Sequence, residues 1–172
     1  EISVNKRNGR GKESLQIDKI HAMVGFATEG ITGVSASHVE MNSGIQLFDG
    51  ISTADIQQIL IKSANDLITL ENPNYQYVAA RLLLFSLRKR LFHRLWEHPK
   101  FLDHIKSCIE KGMYDKDILV NYTEAEIDRM GMWIDHERDY SFTYAGLRQV
   151  MDKYLVQDRS TGEIFETPQF MY

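Results

Sequence analysis

The sequence predicts a mainly α-helical fold: four helices capped by a small N-terminal β-hairpin, then a second helical segment that ends in a C-terminal β-hairpin. Three observations predict it. Apolar residues recur at three- and four-residue spacing over long stretches. Asp, Ser and Thr stand where those stretches begin. The turn dipeptides Asn8-Gly9 and Thr161-Gly162 sit between short alternating segments. The pattern breaks near Glu97 to Pro99, which divides the chain into residues 1–95 and 96–172.

The N-terminal hairpin rests on Ile2 and Val4 alternating with polar residues, the Asn8-Gly9 turn, and Leu15 and Ile17 alternating on the return. The glycines and cations of "VNKRNGRGKES" invite comparison with a Walker-type phosphate loop, but that motif needs a glycine where Lys6 stands and Ser or Thr where Glu13 stands. A basic hairpin is what remains. Asp18 is placed to cap the first helix, with Ile20, Met23, Val24 and Ala27 at helical spacing up to Gly30. The second helix is expected from Ser35 or Ser37, with Val39 and Leu47 inward and the "FDG" turn closing it at Gly50. The third has Thr53 as its N-cap and the stripe Ile56, Ile59, Leu60, Ala64, Leu67 and Ile68, ended by "ENPN". The fourth runs from about Asn74 through Leu91 with Val78, Leu82, Phe85 and Leu87 apolar, and its last turns carry Arg88, Lys89 and Arg90. Those cations suit the negative end of the helix dipole or an anion.

In the second part, helices are expected over Phe101 to Lys111, briefly after Tyr114, from the capping-box pattern Thr123-x-x-Glu126, and over about Thr143 to Leu155. "VQDRSTGEIFETPQF" then reads as strand, Thr161-Gly162 turn and strand. No internal repeat of solenoid length occurs.

Composition narrows the function classes. At 172 residues, 43% hydrophobic and 26% charged, the chain has the balance of a soluble globular protein. Its net charge of -4 gives no global electrostatic case for nucleic acid or an anionic membrane, so any anion site must be local. Cys108, the only cysteine, excludes an internal disulfide framework and a cysteine-based zinc site. It reads as a buried small hydrophobe. With no signal-like start and no membrane-length apolar run, a cytoplasmic location is expected. The missing initiator methionine and the apolar end "ETPQFMY" suggest a piece of something longer.

Catalytic and metal patterns are weak. His93, His98 and His104 do not share a helical face, so they read as structural or exposed rather than as ligands. Asp135, Glu137 and Asp139 beside Arg138 read as solvated charge. "GVSAS" departs from the nucleophile elbow after Gly33-Val34-Ser35. The residues by themselves support a helical module with a basic hairpin able to grip an anion.

The ordered strings "VNKRNG", "IDKIHAMVGFATEG", "FDGISTADIQQILIKSANDLI" and "PNYQYVAARLLLFSLRK" resemble the ATP-cone at the N-terminus of the large subunit of class I ribonucleotide reductase, the ribonucleoside-diphosphate reductase. "GMYDKDIL" and "IDHERDYSFTYAGLRQVMDKYLVQDRSTGEIFETPQF" resemble the helical segment leading into that enzyme's catalytic barrel. The resemblance covers essentially the whole chain.

It implies a four-helix cone capped by a small β element, an allosteric switch in which ATP permits turnover and dATP inhibits it, each with Mg. Lys6 and Arg7 would meet the phosphates. The segment Glu13, Ser14, Leu15, Gln16, Ile17, Asp18 and Lys19 would line base and ribose, with Glu13, Gln16 and Lys19 as the polar contacts. Thr53 would sit near the sugar or phosphates, and Lys89 would add positive charge. Gln57 stands where the family commonly carries a histidine, which puts a neutral amide beside the nucleotide. The implied partners are the radical-generating small subunit and other large subunits, with neither nucleic acid nor membrane. The reductase's redox-active cysteines belong to the barrel, so the resemblance implies no catalytic residue, no redox cofactor and no activity for this piece alone. A degenerate cone that binds no nucleotide and serves as a subunit-docking module is the alternative.

Overall fold

The structure, a computed structural model, describes residues 3–5, 11–14, 17–44 and 49–172, with 12–14 given by their backbone. The expected Asn8-Gly9 turn, and Ile2, Lys6, Arg7, Leu15, Gln16 and Leu47, lie outside the described residues. The fold is mainly helical with short strands. The chain divides into two units, Glu1–Ser86 with Phe142–Leu147, and Leu87–Ser141 with Arg148–Tyr172.

In the first unit, β1 (Ser3–Asn5) is the centre of a three-stranded sheet. It pairs antiparallel with β2 (Lys12–Ser14), setting Ser3 against Ser14 and Val4 against Glu13. On its other side β3 (Ile51–Ser52) runs parallel, setting Val4 against Ile51 and Asn5 against Ser52. Val4 and Ile51 are both buried and give the sheet its apolar contact with the interior. Sequence periodicity missed β3, because two residues are too few to show alternation.

Helix α1 (Ile17–Thr28) turns Ile20, Val24 and Ala27 inward. Two expectations shift here. Ile17 opens the helix instead of ending the strand, and Asp18 lies inside the first turn instead of capping it. An acid one position into the helix still faces the positive end of the dipole. Helix α2 (Ala36–Gly44) begins just after Ser35 and buries Val39. Its described span runs to Gly44, the expected continuation through Leu47 lies outside the described residues, and the Asp49-Gly50 turn leads into β3. In helix α3 (Thr53–Asp66) the N-cap is Ser52, one residue before the expected Thr53. Its inward face is Ile56, Gln57, Leu60, Ile61, Ser63 and Ala64, while Ile68 beyond its end is exposed. Helix α4 (Tyr75–Phe92) is buried around its full circumference over residues 82–88, as an interior helix must be.

Helix α2 packs on both α1 and α3. Polar ties fix these contacts: Ser63 Oγ donates to the Val39 carbonyl at 2.7 Å, and Arg81 donates to the Glu29 carbonyl just past α1 at 2.6 Å.

The second unit contains α5 (Phe101–Glu110), α6 (Ile118–Asn121) and α7 (Glu124–Gly131). Leu102, Ile105 and Ile127 form its core, covered by Phe101, Ile109, Tyr114 and Ile118. The expected capping box is present: Thr123 Oγ1 accepts from the Glu126 N–H, and the Glu126 carboxylate accepts from the Thr123 N–H at 2.8 Å. A 3-10 turn (His136–Ser141) follows; helix α8 (Tyr144–Lys153) comes next in the chain. β4 (Gln157–Asp158) and β5 (Glu163–Ile164) then pair across a turn in which Gly162 has φ +73°. The strand expected to continue through "PQF" ends at Ile164. Pro168 instead opens the short helix α9 (Pro168–Met171), since proline suits the first helical position, where its missing N–H costs nothing.

Candidate functional site

Of the predicted site residues that the structure describes, Thr53 lies at the β1–β3–α3 junction. Residues 49–53 form one continuous lead-in to α3. Asp49 Oδ1 accepts from both the N–H and the hydroxyl of Ser3, each at 2.7 Å. The Gly50 N–H donates to the Ser3 carbonyl at 2.8 Å, and Asn5 Nδ2 donates to the Gly50 carbonyl at 2.6 Å. Gly50 adopts φ +82°, a left-handed conformation that glycine reaches without steric cost.

The end of β1 therefore lies abreast of the start of α3. Ser52 Oγ accepts from the Asp55 N–H at 3.0 Å and donates to the Asp55 carboxylate at 2.6 Å. The cap takes one of the N–H groups that a helix start leaves without an intrahelical partner. The N-terminus of α3, fourteen residues long, presents the positive end of its dipole beside β1. The carboxylate of Asp55 partly offsets it, so an anion held here would need side-chain cations as well.

Thr53 is the first residue of α3 and is half-buried. Gln57, one turn on, is 3% exposed, and its Nε2 approaches Met23 Sδ on α1 at 3.9 Å. Asp18, Lys19 and Ile17 are exposed at the head of α1. Glu13 and Ser14 lie in β2 opposite Val4 and Ser3. Lys89 is half-buried and belongs to the second unit. Sequence reasoning missed Asn5, Asp49, Ser52 and Met23. Ser52-x-x-Asp55 before an apolar run is a helix-start signal that could have replaced Thr53 as the expected cap.

The second unit holds a different cluster. Arg88, expected to be one of three dipole-facing or anion-binding cations, is 2% exposed. Its guanidinium donates to the Tyr140 hydroxyl at 2.8 Å and to the His136 carbonyl at 2.9 Å, and stands 3.8 Å from Asp139. Asp139, expected to be solvated, is also buried. Burial pushes its carboxyl up to about 6, against the pull of Arg88 and Gln169. Asp135 and Glu137 are exposed as expected.

His98 stacks on His136 with ring centroids 3.7 Å apart, and His104 stacks on Phe170 at 4.1 Å. All three imidazoles are held neutral. Burial, Arg88 and His136 lower His98 to about 3; burial, Lys111 and His136 lower His104 to about 4; burial and Arg88 lower His136 to about 4. Cys108 is buried, and desolvation pushes its thiol up to about 11, so it stays protonated and non-nucleophilic at neutral pH. Among the described residues, no group of three His, Cys, Asp or Glu side chains is arranged to hold a metal ion. No described helix is long and apolar enough to cross a membrane.

The model of the ATP cone domain matches residues 2–90, just over half of the chain. The chain belongs to the ATP cone domain family. The match takes in the β1–β3–α3 junction and the whole of α1 to α3. Along 171 residues the chain is also 48% identical to ribonucleoside-diphosphate reductase 1 subunit alpha of Escherichia coli strain K12, covering 99% of this chain and 22% of that protein. Over the same length it is 46% identical to the ribonucleoside-diphosphate reductase subunit alpha of Haemophilus influenzae and 44% identical to that of Enterobacteria phage T4. The chain thus spans about a fifth of the length of these curated relatives, 22% in each case. The likeness to the reductase large subunit read from the sequence strings stands.

Proposed function

We propose that this chain is the regulatory part of a ribonucleoside-diphosphate reductase large subunit, a four-helix cone with its β cap that binds ATP as activator and dATP as inhibitor. The observation that carries the reading is the cone family match over residues 2–90, within which β1, β3 and the head of α3 converge. The donor set suits a magnesium-bound nucleoside triphosphate. Thr53 offers a hydroxyl at a helix N-terminus, and Lys19 is an exposed cation at the head of α1. In sequence, Lys6 and Arg7 follow directly on Asn5, and cationic side chains there would supply what the dipole, offset by Asp55, does not. Glu13, Ser14, Leu15, Gln16, Ile17 and Asp18 complete the stretch assigned to base and ribose. Lys89, in the second unit, remains a contributor by resemblance. The whole enzyme would reduce ribonucleoside diphosphates in concert with a radical-generating small subunit, and the cone would control that activity through subunit assembly.

One observation favours a second reading. Gln57 is 3% exposed and turned toward Met23, so this position adds no charge to a nucleotide site. A cone that has lost nucleotide binding would serve as a docking module for other reductase subunits. Calorimetric titration with ATP and with dATP, both with magnesium, separates the two. Saturable binding by the chain, lost in a Lys6→Ala, Lys89→Ala variant, supports the regulatory site. A folded chain that gives no heat with either nucleotide supports the docking module.

A further inference from the structure

We infer that Asn5 and Asp49 are positioning residues of the nucleotide site: together they clasp the lead-in of α3 to β1 and so set where Thr53 stands. The inference rests on the regulatory reading above.

The need for a clasp follows from the size of the elements. β1 has three residues and β3 only two, and so short a ladder specifies its own register weakly. A slip of one residue would displace the strand by about 3.3 Å and turn each side chain to the opposite face. Val4 and Ile51 resist such a slip through burial, but they occupy one register position and leave the strand ends free to splay.

The side chains of Asn5 and Asp49 fasten both ends. At the first, Asp49 receives the Ser3 N–H and hydroxyl at 2.7 Å each. At the second, the Asn5 amide grips the Gly50 carbonyl at 2.6 Å while its backbone pairs with Ser52. Gly50, Ile51 and Ser52 are the three residues between Asp49 and Thr53. Every bond in the clasp thus acts on the segment whose next residue carries the hydroxyl assigned to the nucleotide. Neither Asn5 nor Asp49 is assigned a ligand contact. Both act through the placement of Thr53, and a misplacement of about 1 Å is enough to weaken a preorganised site.

The test is a double-mutant cycle in the full chain, read as ATP affinity by competition with a fluorescent ATP analogue in the presence of magnesium. Asn5→Ala is expected to weaken ATP binding about tenfold, the scale of one well-placed hydrogen bond to the ligand. Thr53→Val, which keeps the shape and removes the hydroxyl, should have a similar effect. The double variant should bind as weakly as Thr53→Val alone, because Asn5 acts through that hydroxyl. Losses that multiply in the double variant would overturn the inference, since a general loss of structure has no reason to depend on Thr53. Unchanged affinity in Asn5→Ala overturns it as well. If Asn5→Ala fails to fold, Asp49→Ala, which removes the acceptor of both Ser3 bonds, should show the same non-additivity with Thr53→Val. A wild-type chain that does not bind ATP defeats the regulatory reading itself, a result separate from either outcome of the cycle.

Discussion

Acid should weaken the second unit, and His104 should account for a definable share of that loss. The side chain is 4% exposed, stacked on Phe170 at 4.1 Å, with Nε2 3.3 Å from the Tyr114 hydroxyl. The Tyr114 proton is committed to the Glu166 carboxylate, so the tyrosine oxygen accepts from a neutral imidazole protonated at Nε2. Burial first, then Lys111 and His136, holds His104 down to about 4 against an ordinary 6.5. The folded chain therefore resists a proton that the unfolded chain takes up. The stability this represents is present above pH 6.5 and is lost as the pH falls from 6.5 toward 4. Between pH 7 and pH 5 the loss from this one residue comes to about 2 kcal/mol.

His98 and His136 act in the same direction, with smaller effects for their partial exposure. Asp139 opposes them: its carboxyl is raised from 3.8 to about 6, so the folded state gains as the pH falls through that window. That gain is about 1 kcal/mol over the same two pH units, too little to cancel three histidines. The assay is urea unfolding at pH 7 and pH 5, followed by tryptophan fluorescence. Both tryptophans, Trp96 and Trp133, lie in the second unit, so the signal reports that unit. His104→Gln loses the ring stack and is less stable at both pH values, but its further loss on acidification should be smaller than wild type by about 2 kcal/mol. Equal acid losses in variant and wild type would refute the assignment of a depressed, buried imidazole at this position.

Two further expectations concern packing in the same unit. Arg88→Met should destabilise it by about 3–5 kcal/mol, because Asp139 then stays buried without its counter-charge. Asp139→Asn should destabilise it as well, because Arg88, 2% exposed and unable to lose its proton, then stays buried without its counter-charge. Comparing the two denaturation midpoints checks both. Gly131→Ala should cost about 1–3 kcal/mol, because a new Cβ would lie 2.9 Å from Phe101 Cβ where α7 crosses α5. A thermal melt unchanged by that substitution would show that the two helices can part at no cost.

Features with a local cause were legible in the sequence. The Thr123-x-x-Glu126 box needs only four consecutive residues, and both of its bonds form. The Thr161-Gly162 turn needs one glycine at positive φ, and Gly162 supplies it between β4 and β5. The inward faces of α1 and α3 follow from helical periodicity, because Ile20, Val24, Ile56 and Leu60 return to one side whatever lies opposite. Legibility failed where two local rules competed. Ser52 and Thr53 are both good caps, and the choice between them is made by Asp55, whose N–H is within reach of Ser52 Oγ.

Distant causes were not legible at all. "LRKR" at the end of α4 has the composition of a solvated cationic turn, and the dipole argument treats its members alike. Arg88 differs from its neighbours because residues 48 and 52 positions later, His136 and Tyr140, accept its protons, and no rule of spacing within α4 contains them. The clasp at the candidate site has the same character. Ser3 and Asp49 are 46 residues apart, and each is an unremarkable polar residue in its own surroundings. The sequence could therefore suggest the chemistry proposed for the site, a hydroxyl at a helix start and cations that follow β1 in the chain. Where the head of α3 stands relative to β1 is set by bonds that exist only once β1 and β3 have paired. If the double-mutant cycle between Asn5 and Thr53 comes out non-additive, the part of the site invisible to sequence reading is also the part that sets its affinity.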